Sequence, residues 1–173
     1  MLNAEKNPSK LGTSKISYVE KNMDFIGKWK FHSIGVFNDN DELVYLTAEG
    51  YLASPMPYID ETDKDAVAEE MKERKKIIGM QIKICDDGKM YMLMPLPEGV
   101  SQAEVDKAVA AGYFTLVDGM IADAPMKWEL RDGELCYDTG ITGEVFDEEA
   151  QIWAKALDES GYFTFMNYRF IKE

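Results

Sequence analysis

The chain carries a single histidine, His32, and its chemistry depends on the direction in which its imidazole points. An imidazole can serve as a metal or haem ligand or as a catalytic base. Alternation along the first strand-like segment places His32 on the outer face, opposite Trp29 and Phe31. On that face an ordinary surface imidazole is expected, and no serine or cysteine nucleophile with a matching acid can be assembled around it. We therefore do not expect an enzyme.

The other chemistry-bearing residues are scattered along the chain. Cys85 and Cys136 lack the short spacing of metal-binding cysteines, so free thiols in a reducing compartment are expected. Gly88, Gly99 and Gly119 are isolated, which argues against a glycine-rich phosphate-binding loop. The acidic residues fall in loops or on polar faces and give no inward pair for acid–base work. The sequence therefore predicts no metal and no cofactor.

The composition is that of an acidic globular protein. Its 173 residues include 32 acidic and 19 basic side chains, which gives a net charge of −13 at pH 7. This charge opposes binding to nucleic acid or to an anionic membrane surface. No stretch reaches the roughly 18 apolar residues of a membrane span, and the first residues lack the apolar core of an export signal. A cytoplasmic protein is expected, with its oligomeric state left open.

Short strands joined by tight turns dominate the predicted fold. Residues 1–22 are polar and unpatterned and are expected to form a flexible N-terminal arm, and residues 23–173 the folded domain. Strands are predicted at about residues 28–37 and 43–47, with a turn between them.

Two helices are predicted between the strands. The first covers about residues 63–78, with Thr62 as its N-cap. The second covers residues 101–111 and begins with a capping box formed by Ser101 and Glu104. Both are interpreted as lids or as a surface for partners, although charged outer faces are more often simply solvated.

The Asp-Gly pairs at residues 87–88 and 132–133 predict two-residue hairpin turns, and each turn fixes which side chains share a face. The turn at Asp87-Gly88 predicts an interior face and leaves a methionine-rich face outside. That interior face contains Ile82, Ile84, Tyr91 and Leu93. The turn at Asp132-Gly133 predicts a second interior face, made of Trp128, Leu130, Leu135 and Tyr137.

The last part of the chain predicts one more hairpin. Residues 151–157 fit a strand or a helix, and a strand is preferred because a turn at 158–161 then pairs it with residues 162–171. In this register one apolar face contains Ile152, Ala154, Ala156, Phe163 and Phe165. Arg169 continues the same alternation and is expected to point inward.

The two ends of the chain resemble the calycins, the group of lipocalins and fatty-acid-binding proteins. Gly27-Lys28-Trp29 opens the first strand, and Arg169 lies in the last. The resemblance, in particular to lipocalin-like proteins of Gram-positive anaerobic bacteria, implies a mainly β protein: an antiparallel lipocalin-like β-barrel with two short inserted α-helices. It also implies that Gly27, Trp29 and Arg169 close the barrel, with Arg169 packed across Trp29. In fatty-acid-binding proteins such an arginine binds the ligand carboxylate, which is the other role implied for Arg169.

The predicted interior is apolar, and the small residues Ser33 and Gly35 on its first strand leave room for a guest. The hypothesis is non-enzymatic binding of a small apolar or amphipathic molecule inside the barrel. The predicted lining consists of Phe31, Ser33, Ile82, Ile84, Tyr91, Leu93, Trp128, Leu130, Tyr137, Phe163 and Phe165. One alternative is a filled barrel acting as a protein-interaction module. Another is a calycin-type barrel enzyme, in which a carboxylate or tyrosine would meet Arg169 in the interior.

Overall fold

The computed structural model describes residues 24–145 and 148–173. The described chain is mainly β, an antiparallel curled half-barrel sheet with three helices. The segment predicted as an N-terminal arm, residues 1–22, lies outside the described residues. Among the described residues, no helix combines the length and the apolar character needed to cross a membrane.

The strands and helices alternate unevenly along the chain. The strands are β1 (Gly27–Phe37), β2 (Leu43–Thr47), β3 (Gln81–Ile84), β4 (Lys89–Met94), β5 (Thr115–Val117), β6 (Met120–Ala122), β7 (Met126–Arg131), β8 (Glu134–Val145), β9 (Glu148–Lys155), β10 (Phe163–Phe165) and β11 (Tyr168–Lys172). The helices are α1 (Ala48–Ala53), α2 (Lys64–Ile78) and α3 (Gln102–Ala110). The strand order is β10-β11-β1-β3-β4-β7-β8-β9, with β2 paired to β1 and the β5–β6 hairpin paired to β4.

The two ends of this strand order approach each other just after β9. The amide of Ala156 donates to the carbonyl of Leu135 at 2.9 Å, and the amide of Thr164 donates to the carbonyl of Ala156 at 2.7 Å. Leu157 forms an isolated antiparallel bridge with Phe163. A short stretch of backbone therefore connects β8 on one side with β10 on the other, and the sheet curls around a common interior.

The β3–β4 hairpin differs from its prediction by one loop residue. The amide of Cys85 donates to the carbonyl of Lys89 at 2.8 Å, so three loop residues, 86–88, lie between this bonded pair, and Gly88 has a φ of 82°. Ile84 consequently pairs with Met90. Because side chains alternate with a period of two, this shift by one residue puts the methionine-rich face of β4 inside. The prediction that Tyr91 and Leu93 face the interior is wrong.

The β7–β8 hairpin has the predicted two-residue turn. Asp132 and Gly133 have φ values of 51° and 82°, as a type I′ turn requires. Trp128 pairs with Tyr137, and the next interior pair is Leu130 with Leu135. The predicted interior face of this hairpin is confirmed.

A β-bulge at His32 changes the face of the second half of β1. Phe31 pairs with Phe170, but Ser33 pairs with Arg169, so β1 has one residue more than β11 over this stretch. Ile34, which follows the bulge, then faces the same side as Phe31 and is buried. The prediction that Ser33 shares the inner face with Phe31 is therefore wrong.

The C-terminal segment also contains a turn that the alternation pattern did not predict. Residues 148–155 are a strand, as preferred, but residues 162–171 are two strands joined by a tight turn at which Met166 has a φ of 54°. Phe165 pairs with Tyr168 across this turn. Tyr168 and Phe170 therefore face inward, and Arg169 between them faces outward. The predicted inward orientation of Arg169 is wrong for this reason.

Both predicted helices are present with small changes at their ends. α2 begins after Asp63, whose side chain caps the amides of Asp65 and Ala66, so the predicted N-cap Thr62 lies one residue too early. α3 has the predicted capping box of Ser101 and Glu104. Helix α1 was not predicted from the sequence.

Helix α2 is attached to the end of α1 and to the segment after it by a buried arginine. Arg74 is 4% exposed and donates to the carbonyl oxygens of Tyr51, Ser54 and Pro55 at 2.6, 2.8 and 3.0 Å. Its Nε donates to the Glu70 carboxylate at 2.9 Å. The charge is thus buried with partners on both sides, as a buried guanidinium requires.

Candidate functional site

The concave side of the curled sheet contains the main apolar cluster of the protein. It includes Trp29, Ile82, Ile84, Met90, Tyr137, Phe163 and Phe170, all buried. Eight of the eleven predicted lining residues belong to this cluster or pack on it: Phe31, Ile82, Ile84, Trp128, Leu130, Tyr137, Phe163 and Phe165. The other three, Ser33, Tyr91 and Leu93, lie on the opposite face for the reasons given above.

Aromatic side chains pack together where the chain enters β1. Trp29 is 5% exposed, and its indole nitrogen donates to the carbonyl of Phe25 at 2.8 Å. Phe25 also packs edge-on against Trp128, with ring centroids 5.2 Å apart. Gly27, with a φ of 126°, lets the chain turn from this aromatic contact into β1. Gly27 and Trp29, two members of the predicted closing group, therefore lie at or beside this aromatic contact.

The floor of the interior is a set of packed rings centred on Phe163. Its centroid lies 5.9 Å from those of Trp29 and Tyr137 and 6.4 Å from that of Phe170. Tyr137 also packs against Phe165 at 5.7 Å. Burial raises the pKa of the Tyr137 hydroxyl, so this group remains neutral and able to donate a hydrogen bond at neutral pH. Within the described part of the chain, that hydroxyl has no hydrogen-bond partner.

A band of partly exposed apolar side chains adjoins the floor. Phe31, Met92, Met94, Phe165 and Tyr168 all pack against the buried cluster, yet each retains some exposure to solvent. The two methionines were missed by sequence reasoning because they were assigned to the outer face. The methionines could have been placed correctly only by knowing that the β3–β4 loop has one extra residue, which brings all three methionines of β4 inside.

Helix α2 contributes to the edge of this band. Ile77 near its end packs against the interior cluster, and Met80, which follows the helix, is 5% exposed within it. The amide of Phe31 donates to the carbonyl of Met80 at 3.3 Å, which fixes the end of α2 against β1. The end of α2 thus adjoins the interior.

Arg169 lies on the outer face, away from the indole of Trp29. Its guanidinium stacks over the ring of Tyr45 at 3.6 Å from the centroid and lies 5.3 Å from the centroid of Tyr162. Its Nε is 2.9 Å from Oδ2 of Asp158. The predicted packing of Arg169 across Trp29 is therefore wrong, and the interior carboxylate-binding role implied by the resemblance fails for the same reason.

His32 and Ser33 adjoin this outer-face group. The imidazole of His32 lies 4.4 Å from the ring of Tyr162, and its Nδ1 is 3.0 Å from the hydroxyl oxygen of Ser33. Ser33 is 2% exposed, so its hydroxyl is not accessible for attack on a substrate. The pair therefore lacks the accessible nucleophile that hydrolytic chemistry requires.

The two cysteines are free thiols, Cys85 partly exposed and Cys136 buried. Burial raises the pKa of both thiols, which lowers their reactivity as nucleophiles. Over residues 24–145 and 148–173, no group of three histidine, cysteine or carboxylate side chains is arranged to hold a metal ion.

Comparison with protein-family models, with curated proteins and with solved structures finds no match for this chain.

Proposed function

We propose that the protein binds a small apolar or amphipathic molecule, without transforming it, in the interior of a lipocalin-like β-barrel. The observation that carries the proposal is the band of partly exposed apolar side chains above a closed aromatic floor. A filled core would be expected to bury these positions, whereas a guest-binding interior leaves apolar wall exposed when it is empty.

The methionines in this band favour a guest of variable shape. Met92 and Met94 are unbranched and have several rotatable bonds, so they can repack around different apolar surfaces. The Tyr137 hydroxyl adds one neutral donor in an otherwise apolar surrounding. A molecule with an apolar body and one acceptor group, such as a carbonyl, would satisfy both features.

The lipocalin-like barrel itself is supported by two features of the backbone. Hydrogen bonds at Ala156 connect β8 with β10, close to the two ends of the sheet order. Trp29 and Gly27 lie beside the aromatic contacts of Phe25, which is compatible with the closing role that the resemblance implies. The outward orientation of Arg169 is the departure from that pattern.

The filled-barrel alternative is favoured by one observation, the close packing of the rings around Phe163. In that case the protein would act through its surface as an interaction module. The enzyme alternative requires a carboxylate or tyrosine that meets Arg169 in the interior, and the outward position of Arg169 prevents this meeting.

The proposal is tested by titrating the native protein with a dye whose fluorescence rises in apolar surroundings. We expect saturable binding at a stoichiometry of about one, since one interior adjoins the floor. Met92→Trp should abolish it by filling the band. Tyr91→Trp is the matched control, because the neighbouring side chain lies on the opposite face and its replacement should leave binding intact.

Thermal melts of both variants establish that they fold. Absence of saturable binding to the native protein, or equal loss in the two folded variants, would contradict the interior site and favour the filled barrel.

A further inference from the structure

We propose that the outer face of the sheet carries an anion site at Arg169, which takes the carboxylate of a small organic acid. This site lies on the face opposite the apolar interior, so the proposal is independent of the function proposed above. It is formed by β1, β2, β11 and the turn that precedes β10.

Asp158 lies against the Nε side of Arg169, and its own turn holds the Asp158 carboxylate in place. Asp158 accepts hydrogen bonds through Oδ1 from the amides of Ser160 and Tyr162 at 2.9 and 3.0 Å, so its own turn holds the carboxylate in place. Its other oxygen, Oδ2, lies 2.9 Å from Nε of Arg169, and both atoms are buried. Among the described residues neither atom has a hydrogen-bond partner, so the contact is an attraction between the two charges and not a hydrogen bond. This ion pair positions the guanidinium at its Nε side.

Two rings restrict the rotation of the same guanidinium. Tyr45 lies against it at 3.6 Å and Tyr162 at 5.3 Å, and the arginine side chain is only 24% exposed. A planar group stacked in this way loses little further freedom when it binds a ligand. Gly35 permits the arrangement, since a Cβ at this position would come within 3.2 Å of the Tyr45 ring.

The opposite end of the guanidinium remains available for a ligand. Among the residues that the structure describes, Nη1 and Nη2 of Arg169 have no protein acceptor, and neither do the hydroxyls of Tyr45 and Tyr162. The two terminal nitrogens form a planar fork that matches the two oxygens of a carboxylate. A carboxylate is favoured over a phosphate dianion, because Asp158 already neutralises the arginine and the whole protein carries a charge of −13.

The single histidine provides a direct reporter for this site. The His32 ring stacks on Tyr162, which itself contacts the guanidinium, and its carbon-bound protons give one set of NMR signals in the whole chain. Binding at Arg169 should therefore shift the His32 signals together with the side-chain N–H signal of Arg169.

The experiment is an NMR titration of the full chain at fixed pH and constant ionic strength. The probes are sodium acetate and sodium benzoate, with sodium chloride and inorganic phosphate for comparison. We expect saturable shifts for the two carboxylates at roughly millimolar concentrations, a range typical of one bidentate contact, and linear or absent shifts for the other two anions.

Variants test whether the fork itself is the receptor. Arg169→Lys keeps the charge beside Asp158 but removes the fork, and it should weaken acetate and benzoate binding by about tenfold or more. Lys30→Gln removes one exposed charge from the same face and should leave binding within about twofold. If Arg169→Lys does not fold, Tyr45→Leu answers the same question, since it keeps the arginine and removes the ring that orients it.

Several results would overturn the proposal: shifts that do not saturate, chloride acting as well as acetate, or binding that survives both Arg169→Lys and Tyr45→Leu. Tighter binding of phosphate would refute the assignment to carboxylates. A dipeptide with a free C-terminus distinguishes the source of the carboxylate. If it binds more than tenfold tighter than benzoate while its amide does not bind, the partner is a protein terminus, and the assignment to a small acid is wrong.

Discussion

Replacing Arg74 by methionine should detach helix α2 from the segment that follows α1. The substitution keeps much of the side-chain volume but removes the guanidinium, which is 4% exposed and donates to three backbone carbonyls and to Glu70. The partly buried carbonyls of Tyr51 and Ser54 would lose their donor, while Glu70, 34% exposed, would still be partly solvated. Hydrogen bonds to a charged group contribute about 1.5–3 kcal/mol each, so the loss of several, offset in part by water, is expected to cost about 3–5 kcal/mol.

The expected loss appears in the free energy of unfolding, measured by urea denaturation. For a domain of this size it corresponds to a fall in melting temperature of about 6–20 °C. Lys75→Met is the matched control, because the next side chain of the same helix is exposed and should change stability by less than about 0.5 kcal/mol. Hydrogen exchange adds a local measurement, since the amides of α1 and of the turn after it should lose protection first.

A difference of less than about 1 kcal/mol between the two variants would refute the argument. It would mean that α2 separates from α1 at low cost in the native protein, so that water reaches the carbonyls without Arg74.

The remaining predictions concern single positions. Gly88→Ala should destabilise the fold by about 1 kcal/mol in urea denaturation, because an alanine resists the positive φ of this loop position. Gly79→Ala is unsuitable as a control, since a Cβ at residue 79 would lie 2.9 Å from the Pro95 side chain. Because burial raises the pKa of Tyr137, the folded state keeps the phenol proton to a higher pH than the unfolded state does. The free energy of unfolding should therefore fall as the pH rises through about 10. Tyr137→Phe should flatten this dependence in thermal melts between about pH 8 and 11. Cys136, 6% exposed, should react with a thiol reagent more slowly than the partly exposed Cys85. The two rates can be followed by absorbance in single-cysteine variants. Equal rates in the native protein would contradict the burial of Cys136.

The existence of the strands could be predicted from the sequence, because alternation and turn residues are local signals. The β7–β8 hairpin shows this best, since Asp132-Gly133 specifies a two-residue turn and the apolar alternation on both sides agrees with it. The capping box at Ser101 is another local signal, and it correctly located α3. In both cases the information lies within a few residues of the feature that it determines.

The orientation of side chains could not be predicted where one residue is inserted into the pairing. Asp87-Gly88 contains the same dipeptide as Asp132-Gly133, yet Asp86 joins its loop and reverses every side chain of β4 relative to β3. Both registers offer an apolar face, one with Tyr91 and Leu93 and one with the methionines. Local hydrophobicity therefore does not choose between them.

The register of the β3–β4 hairpin is determined by its contacts with other strands. Leu93 pairs with Ala122 of the β5–β6 hairpin, and both are buried on the outer face, so that face also needs an apolar residue from β4. Ile82 pairs with Trp29 across β1 and must lie inside with it. Both faces of β4 therefore need apolar residues. The register that pairs Met92 with Ile82 supplies them, because it places the methionines inside and Leu93 against Ala122. These contacts exist only in the assembled sheet, so the local sequence does not reveal them.

The bulge at His32 has the same kind of cause and a direct consequence for function. Without the extra residue, Ser33 would line the interior, and the later part of β1 would turn Ile34 outward. With it, Ile34 is buried, and the outer face receives Ser33 opposite Arg169. Bulges commonly redirect side chains next to functional sites, and this one places a histidine, a buried hydroxyl and an arginine on one surface. A single inserted residue thus separates an apolar interior from a polar outer group, and these two surfaces are where ligands are proposed to bind.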